Sequence, residues 1–440
     1  MKQFPSFMAW FALLFSLLAG CRPPNGPVSI TGNGPPFDTL NFVWHVKTPW
    51  NFNQGGNSNL RPLLINDSSI VFGFGEGFIC LNTNTGATIW QNEIGINPSG
   101  YPKGWEAMDM LLENGRIYAL AGDIAIRGAK ASVVCLSDAT GQLIWRHDLT
   151  EDDNNPLNGY FSFYWSKYAA SSTAIFYSTQ SGHVVALSKA DGSVLWDSPN
   201  GCPAVPFEMS EPCYRNDIVY VGSCPKWQNI TPGVYRDGVV VALDANSGKV
   251  LWTKTIPPPN SNIIGYPDWK LLNDNEIHVA PLPADNGIII CPGYCVALMD
   301  SSGNLVWRSS PNVNGGISPY IWQPFLKNGQ IYGYNTGNGD FFAFDLDAAK
   351  GLVNWVRSAA SQRTSTIHTP EIDSASLYEV TDDVTSPLWG QSLVDGSTFL
   401  FTPLFWYENY SDDAFNGDYL VHGKKVYYQT YDEIICIERK

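Results

Sequence analysis

Short apolar runs and polar turns alternate along almost the whole chain, and between them no helical period of comparable strength appears. Runs such as "GVVVAL", "HVVAL" and "YCVAL" give way to Asp, Asn or Ser, then Gly, and then to a second apolar run. The pattern reads as strand, turn, strand, with Gly supplying the positive φ at which a Cβ clashes. Aligned on that glycine, five stretches agree: "LNTNTGATIW" (81–90), "LSDATGQLIW" (136–145), "LSKADGSVLW" (187–196), "LDANSGKVLW" (243–252) and "LMDSSGNLVW" (298–307). A sixth, "FDLDAAKGLVNW" (344–355), reads as the same unit with two extra residues. In each, Trp follows Gly by four positions: Gly86 and Trp90, Gly141 and Trp145, Gly192 and Trp196, Gly248 and Trp252, Gly303 and Trp307, Gly351 and Trp355.

From Trp44 onward the intervals between these Trp residues are 46, 55, 51, 56, 55 and 48, the length of a four-stranded propeller blade. Further β runs precede each unit, among them "SSIVFGFG", "GRIYALAG" and "NDIVYVGS". A lone sheet cannot bury both faces, so radial stacking, with each Trp against a neighbouring blade, is the expected solution. The residue before the repeat's first position is small, Cys80, Cys135, Ala186, Ala242, Ala297 and Ala343 in turn, as close blade contact requires. "LNFVWHVK" (40–47) reads as an outermost strand without its blade, and 418–438 as three inner strands without a Trp strand; pairing the two closes the ring. The expectation is an all-β chain forming a single propeller from 37 to 440, with seven blades favoured and eight as the alternative. The choice turns on 357–417, an aromatic insertion or a degenerate blade.

These units resemble the PQQ-like propeller repeat, with its "ALDAxTGxxxW" pattern and a last strand carrying Trp. The resemblance covers about residues 37 to 440 and implies four antiparallel strands per blade, running from inside outward, with Trp on the outermost.

Composition sharpens the picture. The 440 residues include 16 Trp, 21 Tyr and 22 Phe, ample for a large core, and only 15% are charged. With 26 Lys plus Arg against 41 Asp plus Glu the net charge is −15, which repels phosphate backbones and removes nucleic acid as a partner. The start, "MKQFPSFMAWFALLFSLLAGC", pairs Lys2 with an apolar run too short to span a bilayer, as an export signal does. Its end, Leu18-Ala19-Gly20-Cys21, resembles a bacterial lipobox, which implies cleavage after residue 20 and acyl chains on Cys21. Residues 21–36, rich in Pro and Gly, then form a tether, and by resemblance to lipoprotein sorting rules Arg22 points to the outer membrane.

Catalytic chemistry is hard to place. Quinoprotein dehydrogenases share the repeat and use a vicinal Cys pair over the quinone; this chain contains no adjacent cysteines, so neither quinone nor metal is expected. The six His residues are dispersed, without HExxH or i, i+4 pairing. The acidic loops at 151–159 and 409–418 depart from calcium-loop spacing and read as solvated turns. Cys80, Cys135 and Cys436 occupy the small-residue slot as packing thiols. Cys202, Cys213, Cys224, Cys291 and Cys295 lie in irregular stretches, where pairing among the first three, or of Cys291 with Cys295, is open.

Aromatic residues cluster before several inner strands: Tyr101 and Trp105, Phe163 and Trp165, Tyr266 and Trp269, Tyr320 and Trp322, with Trp406 in the 357–417 segment. In the propeller implied by the resemblance they gather on one rim, to pack between blades or to receive a ligand or partner. The chain is similar to the BamB family of envelope lipoproteins. That likeness implies a non-catalytic scaffold for outer-membrane β-barrel assembly, with envelope proteins as partners. A glycan- or peptide-binding propeller is the alternative, and a quinone-dependent dehydrogenase stands third.

Overall fold

The computed structural model describes residues 40–47, 62–74, 77–94, 106–122, 131–149, 168–178, 182–198, 207–225, 238–256, 280–291, 296–309, 321–337, 340–351, 353–359, 371–372, 376–380, 388–392, 398–401, 419–429 and 433–439. Among them are strands and turns and no helix. The signal and tether segments, 1–20 and 21–36 with Cys21, lie outside the described residues.

The strands form successive antiparallel sheets at 63–93, 106–149, 169–198, 207–256, 282–309, 321–359 and 371–401, each a meander whose strands pair in chain order. The sheet at 207–256 carries one extra short strand, Cys213–Arg215, beside Ile218–Pro225. The last sheet is composite. Tyr419–His422, Lys425–Gln429 and Glu433–Arg439 supply three strands, and Leu40–Lys47 pairs with Glu433–Arg439 from Leu40 opposite Arg439 to Lys47 opposite Glu433. Strands from opposite ends of the chain thus close a β-propeller.

The apolar core lies between sheets. Val71, Phe78 and Cys80 of the first sheet pack with Ile117, Val134 and Leu136 of the second, and comparable clusters join the next four neighbours in turn. Trp44, Tyr427 and Cys436 of the composite sheet meet Ile70, Phe72 and Leu81 of the first. Strands buried on both faces explain why runs such as "GVVVAL" are continuously apolar rather than alternating.

Two readings of the repeat need correction. Residues 357–417 are not a bare excursion: they hold Glu371–Ile372, Ser376–Val380, Leu388–Ser392 and Thr398–Phe401, paired in order as a sheet of their own. The described residues therefore contain eight sheets, where seven were favoured. The Trp signature misses this sheet because Thr398–Phe401 carries no Trp. Its neighbour in the ring is the composite sheet, whose third and fourth strands come from opposite ends of the chain, so no tight turn joins them to receive an indole.

The second correction concerns register. The sixth copy has no insertion: Leu346 faces Val353, and Gly351 N donates to Asp347 O at 2.8 Å, as Leu243 faces Val250 and Gly248 N donates to Asp244 O at 2.8 Å. Asp345, not Ala343, therefore faces Trp355. The fifth copy does differ, because its turn is one residue shorter. Met299 faces Leu305, Gly303 N reaches Asp300 O at 3.0 Å, and Leu298 rather than Ala297 lies opposite Trp307.

In the copies whose turn opens on Asn or Asp, that residue holds the turn by its side chain. Asp244 Oδ1 accepts from Asn246 N at 3.2 Å, Ser247 N at 2.9 Å and Ser247 Oγ at 2.7 Å, and Asn82 Oδ1 does the same for Asn84, Thr85 and the Thr85 hydroxyl. The Ser247 hydroxyl, with the backbone N–H groups of the turn, holds the Asp244 carboxyl below the usual carboxylate range. A depressed carboxyl pKa stabilises the fold above the unfolded value, near 4, and that contribution is lost as pH falls through the folded value. Asp244→Asn keeps the turn, as Asn82 shows, and removes this titration. Thermal melts from pH 6 to pH 3 are expected to show the variant gaining on the wild type as pH falls; a constant difference would refute the assignment.

Candidate functional site

The repeat's Gly and Trp form the joints between sheets. Each indole lies over the turn glycine of the following sheet and donates Nε1–H to a carbonyl in that turn: Trp44 to Thr83 (3.1 Å), Trp90 to Asp138 (2.8 Å), Trp145 to Lys189 (3.2 Å), Trp196 to Ala245 (2.8 Å), Trp252 to Ser301 (2.9 Å) and Trp307 to Ala348 (3.1 Å). Gly141 shows why no other residue serves. Its φ is +68°, and a Cβ there would lie 2.3 Å from Trp90 Cε3. An aromatic ring from the second strand often flanks the indole on its own sheet, as Tyr118 flanks Trp145 and Phe176 flanks Trp196, with centroids 6.0 and 5.8 Å apart. Burial and one hydrogen bond make each joint worth about 3 kcal/mol.

One joint carries a buried charge. Lys189, inside the turn that receives Trp145, binds the Glu113 carboxylate and the Ser171 carbonyl and sits 5.5 Å above the Tyr118 ring. Its own carbonyl accepts from Arg116 Nη1 at 3.0 Å as well as from Trp145. At the seam Lys425 Nζ does comparable work, reaching Thr83 O at 3.1 Å and Asn84 Oδ1 at 2.7 Å.

Of the aromatic rim, Tyr101, Trp105, Phe163, Trp165, Tyr266, Trp269, Tyr320 and Trp406 lie outside the described residues. Trp322 lies in Ile321–Lys327, with its backbone opposite Tyr334. Trp355 is placed on its strand by register alone.

The outer strands show a surface that sequence reasoning missed. Immediately before the Trp, Ile89, Ile144, Leu195, Leu251 and Val306 are exposed, with Leu143, Val194 and Leu305 beside them, at between 38% for Leu143 and 54% for Val306. The signal was present in the repeat itself, as the apolar pair in "LIW", "VLW" and "LVW".

The cysteines whose side chains are described are buried in the packing. Cys80, Cys135 and Cys436 face Trp90, Trp145 and Trp44 across their sheets. Burial pushes the Cys80 and Cys436 thiols up to about 12 and Cys135 to about 11. Cys213, open to pairing on sequence grounds, is a buried free thiol against Tyr220, Val240 and Ile288, also raised to about 12 by burial. Cys291 is buried, while Cys202 and Cys295 lie outside the described residues.

A family model described as "Outer membrane protein assembly factor BamB" matches residues 43–201, 75–262 and 236–384, most of the propeller. The chain belongs to the BamB family. BamB of Yersinia pestis is 23% identical over 391 residues, covering 77% of this chain and 91% of that protein. The crystal structure of BamB from Moraxella catarrhalis superposes with a TM-score of 0.56 at 15% identity, over 91% of this chain and 99% of that one, and shows the shared fold. A polyvinylalcohol dehydrogenase from a Pseudomonas species is 22% identical over 371 residues, 69% of this chain but 55% of the enzyme.

The PQQ-like repeat raises the question of a quinone. The sequence has no vicinal Cys pair to cover one, and Cys80, Cys135 and Cys436 are each engaged beneath a different indole.

Two measurements test the joints and the thiols. Gly423 also has positive φ, +60°, but an added Cβ meets nothing within 4 Å. Gly423→Ala should cost about 1 kcal/mol for backbone conformation alone, and Gly141→Ala about 3 kcal/mol or more because the Trp90 ring must move, as read by urea denaturation. Equal costs would refute the close approach. At pH 8 a thiol with pKa near 12 is thiolate in about one molecule in ten thousand. Cys80, Cys213 and Cys436 should therefore resist iodoacetamide in the folded protein and react only on unfolding.

Proposed function

We propose that this protein is a non-catalytic, lipid-anchored scaffold of the bacterial envelope that serves the assembly of outer-membrane β-barrel proteins. The observation that carries the reading is the match to the BamB family across the propeller, with the same architecture over nearly all of the Moraxella relative. The lipobox at Cys21 and the tether to residue 36 supply the anchor, which holds the wheel near a membrane while leaving its faces and rim to proteins. A propeller whose neighbouring sheets are joined by docked indoles is a rigid display platform, suited to holding partners in fixed relation.

A dehydrogenase role has one comparison behind it, the polyvinylalcohol dehydrogenase relative. The lack of a vicinal Cys pair argues against that chemistry here. The glycan- or peptide-binding alternative keeps the aromatic residues Tyr101, Trp105, Tyr266 and Trp269 as its basis.

Crosslinking in native envelopes followed by mass spectrometry decides among these readings. Recovery of barrel-assembly components is the expected result, and recovery of sugar-uptake proteins instead would overturn it. Cys21→Ala should release the protein from the membrane fraction while leaving its fold, measured by tryptophan fluorescence, unchanged.

A further inference from the structure

In each sheet but one, the described fourth strand is terminal and paired on one side only, so its outer backbone groups face away from the sheet; the composite sheet is edged by Leu40–Lys47 in the same way. Such edges attract further strands unless charges protect them. Glu93 ends one outer strand, Asp148 lies on the next and Asp197 on the third. The later outer strands differ. Val250–Ile256, Leu305–Ser309, Val353–Ala359 and, in the composite sheet, Leu40–Lys47 carry a cation each and no carboxylate; in Val250–Ile256 it is Lys254, and exposed Lys249 immediately before that strand adds a second cation. In a chain of net charge −15, this is a basic edge. The nearby Asp244 spends its Oδ1 on its own turn.

This same place holds one of the two less buried indole joints. The shortened turn before Leu305 brings Gly303 against the Lys254 stem, 2.8 Å from an added Cβ to Lys254 Cγ, ahead of the indole at 3.0 Å. Trp44, Trp90, Trp145 and Trp196 are buried, whereas Trp252 and Trp307 are half-buried. Leu251 at 48% exposure, with Leu305 and Val306 after the turn that Trp252 meets, completes an apolar strip. Along Val250–Ile256, Leu251, Thr253 and Thr255 are exposed in strict alternation.

We propose that the outer edge of Val250–Ile256, with Trp252, Leu305 and Val306 beside it, receives an extended segment of a partner protein in which apolar and acidic residues alternate, added as a further strand. The open backbone edge selects an extended chain, since only another strand matches its ladder of donors and acceptors. The lysines select acidic side chains, and the apolar strip selects the residues between them. The proposal deepens the scaffold reading, from which it takes only that a protein partner exists.

The test uses the full propeller and three fluorescein-labelled nine-residue peptides, followed by fluorescence anisotropy. One alternates Val and Glu, one alternates Val and Lys, and one repeats the first with alternate amides N-methylated to block pairing along one edge. The Val–Glu peptide is expected to bind at least tenfold more tightly than either of the others. Lys249→Glu and Leu251→Asn, both at exposed positions and checked for folding by tryptophan fluorescence, should each weaken it several-fold. A benzophenone version of the peptide should crosslink within 250–256 or 305–309. Equal binding of the three peptides, no binding of the Val–Glu peptide, or crosslinks confined to other sheets would overturn the edge while leaving the envelope crosslinking result to judge the scaffold by itself.

Discussion

An indole lying over a glycine, with its N–H given to the same turn, is the contact on which the wheel depends. It demands two things at once: a turn residue in left-handed conformation, and no Cβ where the ring must lie. Only glycine meets both, so the two residues recur together at a fixed spacing of four. The interaction is local to one pair of sheets, yet each of the five sheets from 63–93 to 282–309 both gives an indole and receives one. Stability therefore passes around the ring through nearest neighbours, as in other repeat architectures. Six such joints are described, and the apolar clusters between sheets follow the same pairing.

Closure of the ring places a limit on that repetition. Where Leu40–Lys47 lies along Glu433–Arg439, the ladder of hydrogen bonds replaces a turn, so the preceding sheet has no turn against which to dock a tryptophan. The sheet at 371–401 lacks the Trp for this reason and is held in place through neighbours such as Tyr419–His422. The composite sheet in turn donates Trp44 forward to Gly86. The seam is thus a full joint on one side and a ladder on the other.

Variation among the joints is where the wheel acquires individuality. The turn before Leu305 is one residue shorter than its counterparts, and Trp252, which docks on it, is half-buried beside exposed Leu305 and Val306, on outer strands that carry cations and no carboxylates. The joint at Lys189 departs in the opposite direction, with a buried ammonium satisfied by Glu113, Ser171 and the Tyr118 face.

Much of this was legible in the residues. Spacing of Gly and Trp determined the sheet unit, its turn and the outermost strand, because both residues answer to short-range geometry that repeats in sequence. The pairing of 40–47 with the C-terminal strands followed from counting strands without partners. Other features required the folded chain. Register at Asp345 and Leu298 depended on how many residues each turn consumes, which alignment on glycine alone conceals. The sheet at 371–401 escaped notice because backbone pairing needs no signature residue. Cys213 reads as a disulfide candidate until burial against Tyr220 and Ile288 shows a packing thiol. The exposed apolar residues before Trp90, Trp145, Trp196, Trp252 and Trp307 look like core in sequence; only the position of those strands, each last in its sheet, turns the same apolar residues into surface.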